Sequence, residues 1–154
     1  MPGSRLLNGE IIEMDPIGIP DSKCVTRLQK SLRRKLGDRA VVLSQNRVEL
    51  PADGRPQPDL ALHSLDVADD RLALPQDIFL IIEVSDSTLK VDRTTKLADY
   101  ARDGIKEHWI VNLINRQLEV YRDPEGERYA TSFTVKPGAS QTCPAFPDET
   151  IDWR

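Results

Sequence analysis

The chain has 154 residues, 39% of them hydrophobic and 30% charged, which fits a single domain over residues 1–154 with its own core. A formal net charge of -4 excludes a global attraction to nucleic acid, so binding of that kind needs a local basic patch or bridging metal ions. Without a basic and apolar leader or a run long enough to span a bilayer, the expectation is a cytoplasmic protein with no membrane association.

Cys24 and Cys143 lie far apart and outside any CxxC or Cys/His cluster, which argues against structural zinc and against a disulfide framework. They are expected as buried or incidental thiols. Residues 6–14, LLNGEIIEM, predict a strand or short hairpin turned at Asn8-Gly9, with Glu10 just past the turn. Pro20 then precedes a helix in which Cys24, Val25, Leu28, Leu32 and Leu36 form an apolar stripe, and Gly37 closes it. Lys23, Arg27, Lys30, Arg33, Arg34 and Lys35 occupy its other faces, making this the one basic segment of the chain. It reads either as a solvated helix face or as a set of phosphate contacts.

Residues 40–44 and 47–50 predict short strands, followed by the turn-forming PADGRP. Pro58 biases its neighbours toward extended structure and cannot donate to a ladder, so Asp59 is expected at the start of a short strand. His63 has no partner at ligand spacing and reads as a satisfied or surface side chain. Residues 64–76 predict a loop or one short helical turn.

Residues 78–82, IFLII, form a continuous apolar run that suits a strand buried on both faces. Glu83 stands at its exit, where desolvating a carboxylate costs several kcal/mol unless a cation or donors meet it. The chain loosens through Ser85, Asp86, Ser87 and Thr88. Asp92 is then expected to cap a helix in which Leu97, Tyr100 and Ala101 recur on one face, with Gly104 as its stop and Lys96 near its first turn. A strand ending in Glu followed by a helix carrying Lys can aim an acid and a base at one point. Residues 107–112 predict another buried strand, pairing with 117–122 and, through DPEG, with RYATSFTV as antiparallel strands. His108 and Trp109 are expected as sheet and core residues. The tail from 136 to 154, with three prolines, predicts an extended segment laid along the body.

The order of an acid, Pro-Asp, an apolar strand with Glu, and then Lys resembles the PD-(D/E)xK nuclease superfamily. More closely, LLNGEIIEM, PQPDLAL, IIEVSDST, DRTTKLADYARDGI, EHWIV and EVYRDPEG resemble the Uma-type restriction-endonuclease-like family, from Leu6 to about Thr134. The resemblance implies an α/β fold: a restriction-endonuclease-like core of mixed β-sheet flanked by helices, with added antiparallel strands. It also implies a Mg²⁺-dependent (or Mn²⁺-dependent) endonuclease, a hydrolase acting on DNA. Two positions after Glu83 the superfamily has Lys where this chain has Ser85, and the Uma-type pattern supplies the lysine from the following helix, as Lys96. The chain also departs from the family at Asp21-Ser22 and at His108 to Asn112, positions outside the proposed site.

The implied catalytic set is Glu10, Asp59, Glu83 and Lys96, with Asp59, Glu83 and Glu10 as metal ligands. The chemistry is consistent with that set, because Mg²⁺ prefers one or two carboxylates with waters and phosphate oxygens at about 2.0 to 2.1 Å. A lysine beside it can orient water or oppose charge in the transition state. The contrasting expectation is a non-catalytic nuclease-fold module that binds nucleic acid or a protein partner, as a homodimer.

Overall fold

In a computed structural model of the chain, the backbone is described for residues 4–7, 10–13, 19–86 and 90–153, and the side chains for residues 22–86 and 94–153. At the N-terminal end β1 (Ser4–Leu7) pairs antiparallel with β2 (Glu10–Glu13), Leu7 opposite Glu10, while the turn expected at Asn8-Gly9 lies outside the described residues. Helix α1 (Ile19–Leu36) follows, with Pro20 in its first turn, where the missing N–H costs nothing.

The main sheet has six strands in the order β3-β4-β5-β6-β7-β8: β3 (Val41–Ser44), β4 (Leu60–His63), β5 (Ile78–Ser85), β6 (Glu107–Asn112), β7 (Gln117–Glu125) and β8 (Arg128–Val135). Only β5 and β6 pair in parallel, because helix α2 (Lys90–Arg102) carries the chain back between them. The sheet is therefore mixed and flanked by helices, as expected.

Each face of the sheet has its own core. Cys24, Val25, Leu28, Leu32 and Leu36 of α1 pack on Leu60, Leu62, Leu80, Ile82, Trp109 and Val120. On the other face Tyr100 and Ile105 pack with Ala61, Ile78, Ile81, Val48 and Leu50. A bulge at the start of β5 puts the neighbouring residues Phe79 and Leu80 on the same core. Leu62 pairs with Leu80 but His63 pairs with Ile78, so Phe79 is skipped and Ile78 and Phe79 serve opposite cores. Cys24 and Cys143 are buried and not joined in a disulfide. His63 is buried, with its Nδ1 2.8 Å from the Ser64 carbonyl oxygen.

Three local expectations are corrected. Residues 47–50 form a tight loop instead of a strand, closed by Val48 N–H to Pro56 O (3.0 Å) and Leu50 N–H to Gly54 O (2.7 Å). Pro51, Pro56 and Pro58 have no N–H to offer a neighbouring strand. Helix α2 begins at Lys90, so Asp92 lies within its first turn and does not precede it, and Lys96 falls in the second turn. The tail does not lie extended. It folds into a hairpin of β9 (Gln141–Cys143) and β10 (Phe146–Ile151), because Cys143, Phe146, Ile151 and Trp153 supply apolar side chains that the α1 side of the core buries.

Leu32 is fully buried between α1 and the sheet, so Leu32→Ala is expected to cost about 2–5 kcal/mol in denaturant unfolding, whereas exposed Lys30→Ala on the same helix should change stability by less than about 0.5 kcal/mol. A second prediction concerns acid. His108 is buried, and burial first, with the charge of Lys96 adding to it, pushes its pKa down to about 3. The unfolded chain takes up this proton near pH 6.5 and the native state does not, so the stability His108 allows is present above that pH and is lost as pH falls toward 3. His108→Phe should flatten the plot of unfolding free energy against pH in that window, by up to about 1.4 kcal/mol per pH unit relative to the parent.

Candidate active site

The β4–β5 ladder ends at the pair Leu60 and Ile82. Beyond it the register brings Asp59 level with Glu83, and the Asp59 Oδ2 accepts the Val84 N–H at 2.8 Å, a donor the ladder no longer uses. Pro58 sets this up, since a residue without an N–H cannot extend the pairing. Asp59, one residue before β4, and Glu83 of β5 thus bring two carboxyl groups level at the exit of the most apolar strand, close enough for each to act on the other.

Along β5, side chains alternate between the faces, and Glu83 falls with Ile81 on the face covered by α2. Tyr100 of α2 is buried there and donates its hydroxyl to Glu83 Oε1 at 2.9 Å. Helix α2 ends just below, where Gly104, at φ +82, lets Ile105 N–H reach back to Tyr100 O at 3.0 Å. Lys96 lies one turn before Tyr100, at i and i+4, and so on the same side of the helix.

The electrostatics show how closely these groups are gathered. Burial raises the Asp59 carboxyl above its ordinary range, against the pull of the Val84 N–H, the Lys96 charge and the hydrogen bond with Glu83. Glu83 keeps some exposure as a residue, but its carboxyl is densely surrounded and is pushed up to about 7, first by burial and then by the charge of Asp59. Lys96 and the Tyr100 hydroxyl oppose that rise. Near neutral pH the Glu83 carboxyl is therefore close to half protonated. Tyr100, raised well above its usual range by burial and by Glu83, stays a donor.

The set Asp59, Glu83 and Lys96 is brought together at one end of the sheet, on one face. Glu10 takes the first position of β2, and its side chain lies outside the described residues. Among the described residues no group of three or more His, Cys, Asp or Glu side chains is placed to hold a metal ion, so Asp59 and Glu83 stand as a pair. That pair suits a hard divalent cation: it offers oxygen donors only, and a cation can take the place of the proton that relieves their repulsion.

Sequence reasoning passed over the groups around the pair. Tyr100 was legible only as part of the α2 stripe, although its spacing from Lys96 marks a shared face. His108, read as a core residue, is one, yet its ring lies 4.9 Å from that of Tyr100 and its Nδ1 is 3.1 Å from Ile81 O. Across the same face the register runs from Glu83 through Ile110 to Glu119, two strands and about 10 Å away. Glu119 is buried and accepts from Asn112 Nδ2 (3.0 Å) and the Tyr121 hydroxyl (2.7 Å). No sequence signal separates it from an ordinary strand glutamate.

The fold has counterparts among solved structures. One is "a putative nuclease belonging to DUF820 from Anabaena variabilis ATCC 29413", 16% identical, with a TM-score of 0.73 over 99% of this chain and 88% of that one. Another is the type IIG restriction endonuclease BpuSI, 13% identical, with a TM-score of 0.50 over 78% of this chain. The matched part is 13% of that much longer protein. At these identities the likeness shows the fold alone. No protein with a curated functional description matches the sequence. The family model of Uma2, described as "Putative restriction endonuclease", matches residues 3–153. Across nearly its whole length, on a nuclease fold that sets Asp59 and Glu83 side by side, this chain belongs to the Uma2 family.

Proposed function

We propose that the chain is an endonuclease dependent on Mg²⁺ or Mn²⁺ that hydrolyses phosphodiester bonds in DNA. The observation that carries this reading is the meeting of Asp59 and Glu83 with the charge of Lys96 acting on both. Asp59 and Glu83 would hold the metal, and Glu10 is proposed as a further ligand. A bound divalent cation would neutralise charge on the phosphoryl oxygens and make water a stronger nucleophile.

The chain's own residues do the positioning. The Val84 N–H fixes one oxygen of Asp59, and the Tyr100 hydroxyl fixes one oxygen of Glu83, so both carboxylates are oriented before any ligand arrives. The Lys96 ammonium would hold the attacking water or oppose the charge that builds on the phosphate in the transition state. The N-terminal end of α2 adds favourable potential for an anion.

A second reading, a non-catalytic nuclease-fold module binding nucleic acid or a protein partner, draws on one observation. The carboxyl pair already has partners in Val84, Tyr100 and Lys96 without a metal. Incubating the protein with plasmid, single-stranded DNA and RNA, with Mg²⁺, Mn²⁺ or chelator, separates the two. Metal-dependent cutting of DNA is expected, and binding without cutting would leave the second reading.

Saturating Mg²⁺ or Mn²⁺ should raise the melting temperature, with about 2.7 kcal/mol of stabilisation at a hundredfold excess over Kd, and Asp59→Ala should remove most of that response. Lys96→Ala is expected to lower the cleavage rate by about 10²–10³-fold while keeping the metal-induced stabilisation, since it removes a transition-state interaction. Cleavage by Lys96→Ala at the parental rate under saturating metal would reduce Lys96 to a surface cation. Ser85 shares a strand face with Glu83, so adding Ser85→Lys to Lys96→Ala should recover part of the rate.

A further inference from the structure

Helix α1 lies on the sheet face opposite the carboxyl pair, and its solvent side is unusually one-signed. Between Ser22 and Leu36 there are six basic residues and no acid. Two of the six serve the fold: Arg33 donates to Val42 O at 3.0 Å and Lys35 to Thr150 O. The other four, Lys23, Arg27, Lys30 and Arg34, are exposed and make no ion pair or side-chain hydrogen bond with the described residues. They recur at i, i+4, i+7 and i+11, one per turn, and so form a single stripe about 16 Å long. Like charges at this spacing each weaken an isolated helix by about 0.2–0.5 kcal/mol, a cost for which the described fold shows no return.

The stripe continues beyond the helix. Arg27 borders a cavity of about 280 Å³ whose other walls include Arg116, Asn112, Leu113, Pro137 and Trp153. Asn112 closes β6 and pairs in register with Ser85, and Leu113 N–H donates to Ser85 O at 2.8 Å. The cavity thus opens at the same end of the sheet as Glu83, two residues before Ser85, but on the other face.

We infer that the stripe Lys23, Arg27, Lys30 and Arg34, extended by Arg116 at the cavity, is a docking surface for the phosphodiester backbone of a nucleic acid. It rests on nucleic acid being the partner of the proposed nuclease but not on cleavage. A polyanion with regularly repeated charge complements one cation per turn, and the guanidinium forks of Arg27, Arg34 and Arg116 suit phosphate oxygens. An anionic membrane is disfavoured because the exposed side chains of the stripe and its neighbours Ser22, Thr26 and Arg33 include no large apolar group to insert. A chain with net charge -4 gains affinity for nucleic acid only from such a local concentration of cations.

The test is fluorescence anisotropy with a labelled DNA duplex, in chelator so that no metal contributes, from low to physiological salt. The parent should bind, with an affinity that falls steeply with salt. The variant Lys23→Gln/Arg27→Gln/Lys30→Gln/Arg34→Gln, whose glutamines keep the helix propensity, should bind at least about tenfold more weakly, with a salt slope shallower by about 3 to 4. Arg27→Gln/Arg116→Gln, with two surface changes only, should lose several-fold and guards against a folding defect in the larger variant. Asp59→Asn should bind like the parent; if it also fails to cut, cleavage and docking are separated, and a protein that docks but never cuts refutes the nuclease and leaves this surface standing. Parental affinity and slope in both glutamine variants would overturn the inference. So would a parent that binds polyglutamate or phosphatidylserine vesicles as tightly as it binds duplex.

Discussion

Two carboxyl groups held side by side at the end of the β4–β5 ladder repel each other and lose hydration, and much of the surrounding structure offsets that. The Val84 N–H of β5 and the Tyr100 hydroxyl and Lys96 charge of α2 all act on the pair. The compensation is incomplete, because Glu83 still titrates near 7 and not in the ordinary carboxylate range. A fold selected for stability alone would do better with apolar side chains here.

The position of α2 decides whether that compensation works. Its inner side brings Lys96 and Tyr100 to the pair, and Gly104 ends it so that Ile105 can enter the second core. Its far end is tied to the loop after β3: Arg102 pairs with Asp53, and Asp103 accepts the Ala52 N–H at 2.9 Å. These contacts are partly exposed and individually weak, but they act at the end of a helix whose rotation would carry Lys96 away from the carboxylates. The loop over residues 47–54, of which 47–50 were expected as a strand and the rest as a turn, thereby supports α2 from a distance.

The sheet separates two kinds of surface. On the α2 side, polar groups form a connected set of buried Tyr100, His108 and Glu119 and partly buried Glu83 and Tyr121, and neighbouring rings and hydrogen bonds fix their orientation. On the α1 side the core is apolar apart from Glu107, which is buried and accepts from Trp109 Nε1 at 2.8 Å and Arg122 Nη2 at 2.6 Å, and the C-terminal hairpin packs against it. Among the described residues no helix is long and apolar enough to cross a membrane.

The elements whose sequence pattern matches their own burial were legible without coordinates: the α1 stripe, the apolar run at 78–82 with Glu83 at its end, which the structure extends to Ser85, and the antiparallel strands from Gln117 onward. Their periodicity is a local property, and Pro58, Gly37 and Gly104 punctuate it by backbone chemistry alone. The tail misled because its prolines argue for an extended chain, while burial of Phe146, Ile151 and Trp153 against α1 outweighs them. The residues 47–50 misled because alternation signals a strand only if a neighbour has free donors and acceptors to pair with. Asp59, Glu83 and Lys96 could be named from their contexts, but their convergence depends on the β4–β5 register and on the placement of α2, which are set by contacts between residues far apart in the chain. Tyr100, His108 and Glu119 acquire their roles only there, since a buried polar side chain is defined by the partners that surround it and not by its neighbours in sequence.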